Sequence, residues 1–184
     1  MKSIILLITF SALVTYSACA QKVYIGCPTQ VNTKPNAGFL NKQAVDLVIV
    51  DSRTIPAGAK IECQGNDVKQ VLANFLRSEF PSCNITVLPD TLSASNANGI
   101  KITINITAYQ ASLSNSEWTG TVNYQVSISD TRTKHAKKIA ETINNDTQRP
   151  GIIGYKAAKK CLFTSFDKSN QDLLSFIEES VKDK

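Results

Sequence analysis

Five cysteines and one histidine are the residues best equipped for chemistry in this 184-residue chain. Cys19 lies in Ser17-Ala18-Cys19-Ala20, directly after an apolar run. Two processing reactions fit that junction. Cleavage after the A-x-A site Ala18-Cys19-Ala20 leaves Gln21 as the new N-terminus, whereas Ser17-Ala18-Cys19 reads as a lipobox in which Cys19 becomes the acylated first residue. Tyr16 stands where a lipobox usually has Leu or Val, but the short apolar core followed by Cys-Ala-Gln-Lys favours acylation of Cys19.

Four cysteines remain in the mature part: Cys27, Cys63, Cys83 and Cys161. An even number in an exported chain gives the expectation of two disulfides, with three connectivities open. Cys63 and Cys83 flank a predicted helix about 21 Å long, so joining them requires the flanking loops to fold back, and no pair is favoured. There is no C-x-x-C spacing and only one histidine, so neither a metal site nor a cofactor is expected.

That histidine, His135, lies between Lys134 and Lys137 in a turn or strand edge. Any Ser-His-Asp or Cys-His arrangement has to use it, yet no G-x-S-x-G or comparable nucleophile motif is present. Asp51 and Arg53 can hold a ligand at a strand end, although a turn-capping aspartate and a solvated arginine are the simpler reading. Glu178 and Glu179 read as a solvated helix face. With no acid, base or nucleophile to assemble, the chain reads as a non-enzyme without catalytic residues. Asn84, Asn105 and Asn145 each begin a glycosylation pattern, which carries meaning only in a eukaryotic secreted protein.

Two aromatic residues are candidate binding contacts. Trp118 either closes the end of a hairpin core, with Gly120 permitting close backbone approach, or stands as a platform at the hairpin tip; the packed reading is preferred. Tyr109, on the outward row of its strand, is the second. Lys134, Lys137, Lys138, Lys156, Lys159 and Lys160 can form a patch toward anionic lipid or glycan, but scattered lysines usually only solubilise.

The elements that must position these residues follow from periodicity. Residues 44–50 are a β-branched apolar run and read as a buried strand, with a short second strand over 59–63. From a cap at Asn66 or Asp67, the residues Val68, Val71, Leu72, Phe75, Leu76 and Phe80 recur at helical spacing until Pro81. Ile85, Val87 and Leu88 begin a sheet face. After a polar loop over 91–99 the period switches to two. Ile102, Ile104, Ile106 and Ala108 face one way, and Val122, Tyr124, Val126 and Ile128 repeat the pattern beyond a loop of about eight to ten residues. Residues 137–143 fit a returning strand, though their spacing also suits a helix. A loop over 148–151 precedes a final amphipathic helix marked by Ala158, Cys161, Leu162, Phe166, Leu173, Phe176, Ile177 and Val181, with a break near Ser169-Asn170.

The expected fold is α+β: an antiparallel or mixed sheet with a long hairpin, packed by two amphipathic helices. Lys2, the apolar stretch over 4–14 and the small residues after it form a signal peptide, residues 1–18, or 1–20 if cut at Ala20. That stretch is too short to span a bilayer. Residues 19–43, punctuated by Gly26, Pro28, Pro35 and Gly38, read as an extended leader or tether, and 44–184 as one domain. The formal charge of +5 drops by one when Lys2 is removed. A balance so mild is no footprint of nucleic-acid binding.

The segment 45–53 ending in Asp-Ser-Arg, the helix from Asp67, the strand 102–109, the run from Trp118 to Asp130 and the amphipathic C-terminus together resemble the YajG-type outer-membrane lipoproteins of Gram-negative bacteria. The resemblance is one of architecture, and the four mature cysteines depart from it. It implies an envelope lipoprotein of poorly defined biochemical role, with no catalytic residues to carry over. The leading expectation is a protein lipid-anchored on the periplasmic side of the outer membrane that binds another envelope protein or a lipid or glycan component. The rival expectation is a freely secreted, disulfide-bonded binding protein, with a glycosylated eukaryotic origin left open, and the matching alternative location is periplasmic or secreted and soluble.

Overall fold

Alternation at period two builds the frame of the molecule, a computed structural model that describes residues 22–28, 35–89, 99–132, 137–150 and 154–181. Their elements run β1 (Lys22–Ile25), β2 (Ala44–Asp51), β3 (Lys60–Ile61), α1 (Gly65–Glu79), β4 (Asn84–Leu88), β5 (Ile100–Ser114), β6 (Glu117–Asp130), β7 (Lys137–Pro150) and α2 (Tyr155–Val181). The fold is α+β, a mixed sheet of seven strands with two helices packed against it. The signal peptide, Cys19 and His135 lie outside the described residues.

β5 and β6 form the long hairpin, with Ile100, Ile102, Ile104 and Ile106 facing the core beside Val122, Tyr124, Val126 and Ile128. The loop expected between them is a two-residue turn. Asn115 and Ser116 both take positive φ, 49° and 63°, the pair of left-handed residues that lets twisted strands reverse directly. Pairing therefore continues to Ser114 opposite Glu117.

A bulge at Thr107 interrupts the alternation, because Ile106 pairs with Tyr124 and Ala108 with the adjacent Asn123. One extra residue exchanges the faces of everything beyond it. Tyr109 and Ala111 consequently point into the core, contrary to the outward row expected for Tyr109, and Ala108 leaves it.

The same bulge marks a fork in the sheet. β2 runs parallel to β5 from Val45 opposite Ile100 to Asp51 opposite Ile106, and β1 then runs antiparallel to it from Tyr24 opposite Ala111 to Lys22 opposite Leu113. β4 lies parallel to β2 and β3 parallel to β1. β6 and β7 complete the other side. Much of the segment expected as a tether is thus built into the domain. Val23, Tyr24 and Ile25 are buried in the sheet, and the Asn36 and Lys42 amides donate to the carbonyls of Glu79 and Ser82. The short strand expected over 59–63 contracts to β3.

α1 starts where the Gln64 amide donates to the Asp67 carboxylate at 2.9 Å and stops before Pro81. Its residues Val68, Leu72, Phe75 and Leu76 pack on the sheet face that α2 also covers. α2 is continuous through Ser169-Asn170, where a break was expected. Those polar residues are buried against β6: Ser169 donates to the Val122 carbonyl at 3.0 Å, and Asn170 accepts from the Tyr124 hydroxyl at 3.2 Å. β7 is a strand along its whole length, and so takes in part of the loop expected at 148–151.

Candidate functional site

Asp51 ends β2 and Arg53 turns back onto it, with Nε 2.6 Å from Oδ1 and Nη2 2.7 Å from Oδ2. The Arg53 Nη1 donates to the Tyr109 carbonyl at 3.3 Å, and the guanidinium lies 5.6 Å from the Tyr109 ring centroid. The Arg53 side chain is only 4% exposed, so it is a buried, paired cation and not the solvated arginine expected. Burial pushes the Asp51 carboxyl up, but the hydrogen bonds and charge of Arg53 outweigh this and hold it below the usual range. Asp130 and Arg132 repeat the same Asp-x-Arg fork at the end of β6, at 2.9 and 2.7 Å. Two copies at two strand ends mark the motif as a structural clamp.

α1 begins directly against this clamp. A Cβ on Gly65 would collide with the Asp51 Oδ2, so only glycine lets the positive end of the helix approach the carboxylate so closely. Just before the helix, Cys63 and Cys27 meet Asp67, their sulfur and carboxylate oxygen atoms all lying within 4.8 Å of one another. Cys27 is exposed and its thiol donates to the Glu62 carbonyl at 3.1 Å. Cys63 is 2% exposed, and its thiol is pushed up by burial, by hydrogen bonding to Cys27 and by the charges of Cys27 and Asp67. Two sulfurs and one oxygen are donors a thiophilic divalent ion can use. The lack of C-x-x-C spacing did not reveal this cluster, because its cysteines follow the ends of two neighbouring parallel strands that are distant in sequence.

Along α1, Asn66, Lys69, Gln70 and Arg77 share one face and wall an open groove of about 500 Å³, with Val87 and Leu88 of β4 opposite. Val87 is 40% exposed, and among the described residues no strand pairs with the outer edge of β4. Cations, amides and apolar strand residues side by side suit an extended or anionic ligand. On sequence alone these helix positions look like an ordinary solvated face.

The two aromatic contact candidates lie elsewhere. Trp118 is 2% exposed, its ring centroid 5.7 Å from that of Tyr155. Tyr109 is 1% exposed; its hydroxyl donates to the Gly26 carbonyl at 2.9 Å, and its ring meets Phe166 edge-on. Neither offers a ring face to a partner. No bond joins any two of the four described cysteines in this structure. Cys83 lies by Phe39 and Leu40, and Cys161 beneath Gly120 on α2.

No family model matches the chain, and no curated protein matches it. Among solved structures it is similar to the hypothetical protein CT253 from Chlamydia trachomatis, at 8% identity over 76% of this chain and 98% of that one, with a TM-score of 0.54. An uncharacterized protein gives 9% identity over 84% and 97%, also with a TM-score of 0.54. The neighbours include bacterial lipoproteins, among them GNA1162 from Neisseria meningitidis at 10% identity over 72% and 99%, with a TM-score of 0.35. The first two likenesses are of fold. Among the described residues no helix is long and apolar enough to cross a membrane.

Proposed function

We propose that this is a non-enzymatic binding or accessory module of the cell envelope, lipid-anchored through Cys19 at the periplasmic side of the outer membrane. It engages another envelope component through the groove between α1 and β4. The observation that carries this reading is the groove itself, in which Lys69 and Arg77 flank apolar residues of a strand whose outer edge is unpaired among the described residues. The lipobox-like junction at Cys19 and the resemblance to YajG-type lipoproteins support the envelope setting.

Two measurements test the proposal. Cys19→Ser is expected to move the exported protein from the membrane to the soluble fraction; an unchanged distribution with a mature N-terminus at Gln21 argues for the anchor-free alternative. A photocrosslinking residue at Gln70 or Val87, in cells that export the protein, is expected to give a discrete adduct that Arg77→Glu removes. Thr142, on the opposite, polar face of the sheet, serves as the control. No adduct from either groove position, or the same adduct from Thr142, rejects the groove as the binding site.

A further inference from the structure

We infer that Cys27 and Cys63 are the site of a single native disulfide that ties β1 to the start of α1, and that Cys83 and Cys161 remain thiols.

The strand register carries the argument. β1 and β3 pair with Tyr24 opposite Lys60 and Ile25 opposite Ile61. The Glu62 amide donates to the Ile25 carbonyl at 2.8 Å, so the backbone contact reaches one residue past β3, and the Cys27 side chain stays beside this segment, its thiol donating to the Glu62 carbonyl. Extended two residues beyond the last pair, the same offset would bring Cys27 level with Cys63. Neighbouring strands lie about 4.8 Å apart, within the ~4.4–6.8 Å separation of α-carbons that a disulfide spans. The two sulfurs already lie within 4.8 Å of each other, so bond formation needs only small side-chain rotations.

The other two cysteines have no such partner. Cys83 and Ile177 line the same small cavity, and Cys161 lies far up α2 from Ile177, about 24 Å away at 1.5 Å per residue. A Cys83–Cys161 bond therefore requires the helix to leave its place, and the two-disulfide expectation gives way to one.

Exposure sets the order of events. The accessible Cys27 loses its proton to solvent and attacks one sulfur of an oxidant that is itself a disulfide, either an oxidised thiol-disulfide exchange protein or a small-molecule disulfide. One thiolate departs and a mixed disulfide remains on Cys27. The Cys63 thiol gives up its proton to solvent and attacks the Cys27 sulfur, expelling the second thiolate. Two protein thiols become one S–S bond; the oxidant takes the two electrons and departs as two thiolates, which take up two protons from solvent.

The test uses natively exported protein, denatured in iodoacetamide without reductant and digested. The expected result is a linked Cys27–Cys63 peptide, two hydrogens lighter than its parts, with Cys83 and Cys161 fully alkylated. Alkylation of both Cys27 and Cys63, a link from either to another cysteine, or free thiols in a protein that releases zinc to a chelator overturns the inference. The bond closes a loop of about 35 residues, so reductant is expected to lower the melting midpoint of the wild-type protein by roughly 8–15 °C. Cys27→Ser/Cys63→Ser should melt at that lower temperature and ignore reductant. The wild-type measurement stands even where the double variant folds poorly, and a reductant-insensitive wild type overturns the inference.

Discussion

Arg53 grips Asp51 through two parallel hydrogen bonds in the gap where β5 exchanges β2 for β1 as its partner. The bulge at Thr107 makes that exchange possible and leaves the Tyr109 carbonyl for the guanidinium to satisfy. The clamp therefore seals a fork in the sheet, with the start of α1 pressed against its acidic half.

Removing one partner should be costly. Asp51→Ala leaves a buried guanidinium without its counter-charge and is expected to destabilise the domain by about 3–5 kcal/mol in urea unfolding. Asp51→Ala/Arg53→Met, which removes both charges and keeps an aliphatic chain in place, should lose less than the two single changes together. Additive losses would show the pair to be uncoupled. The folded Asp51 carboxyl is held below its unfolded value, so its contribution is present above about pH 4 and is lost as the pH falls through the folded value.

Glu79 behaves in the opposite sense. It is buried at the end of α1, and burial, then the charge of Glu178 on α2, pushes its carboxyl above the usual range. A carboxyl whose folded value is raised destabilises the ionised protein, and that penalty disappears as the pH falls through the folded value toward the unfolded one near 4.3. Glu79→Gln is therefore expected to raise the melting midpoint at pH 7, with the gain shrinking on the acid side. An equal gain at pH 4 and pH 7 would assign the effect to packing.

Gly120 is where the backbone of α2 comes closest to the sheet. A Cβ there would lie 2.5 Å from the Cys161 carbonyl carbon and the Leu162 nitrogen, and the Ser165 hydroxyl donates to the Gly120 carbonyl at 2.6 Å. Gly120→Ala forces a backbone apart and stretches that hydrogen bond, for an expected loss of about 1–3 kcal/mol. The urea midpoint should fall at unchanged slope. A variant as stable as the wild type would mean that α2 shifts freely on β6.

The alternation of β5 and β6, and the stripe of α1, were legible because burial of one face imposes a period on the sequence. The bulge was not, since Thr107 suits either row of a strand and nothing local says that one residue goes unpaired. The turn was hidden too, because Asn115-Ser116 lacks the glycine that usually announces a left-handed pair. Ser169 and Asn170 suggested a helix break because polar residues on a buried face conflict with periodicity. Their partners are carbonyl and hydroxyl groups of β6, distant in sequence. The Asp-x-Arg spacing of the clamp is local, but the Cys27–Cys63 approach and the contact of Arg53 with the Tyr109 carbonyl are products of the long-range fold, which no local spacing encodes.

Trp118 offers the sharpest test of the core. It lies opposite Leu113 on β5 and Arg149 on β7, with its ring against Tyr155 at the start of α2, so it packs the end of the hairpin against the helix. Trp118→Ala removes a fully enclosed aromatic and is expected to cost about 3–5 kcal/mol, with Trp118→Phe recovering part of the loss. For a domain of this size that is a fall of several degrees or more in melting midpoint, and a shift of less than about 1 °C would contradict the packed placement. Trp118 is the chain's only tryptophan, so intrinsic fluorescence reads the same site directly. Emission should be blue-shifted and poorly quenched by iodide in the native protein, moving to the solvent-exposed wavelength in the same transition that unfolds the sheet.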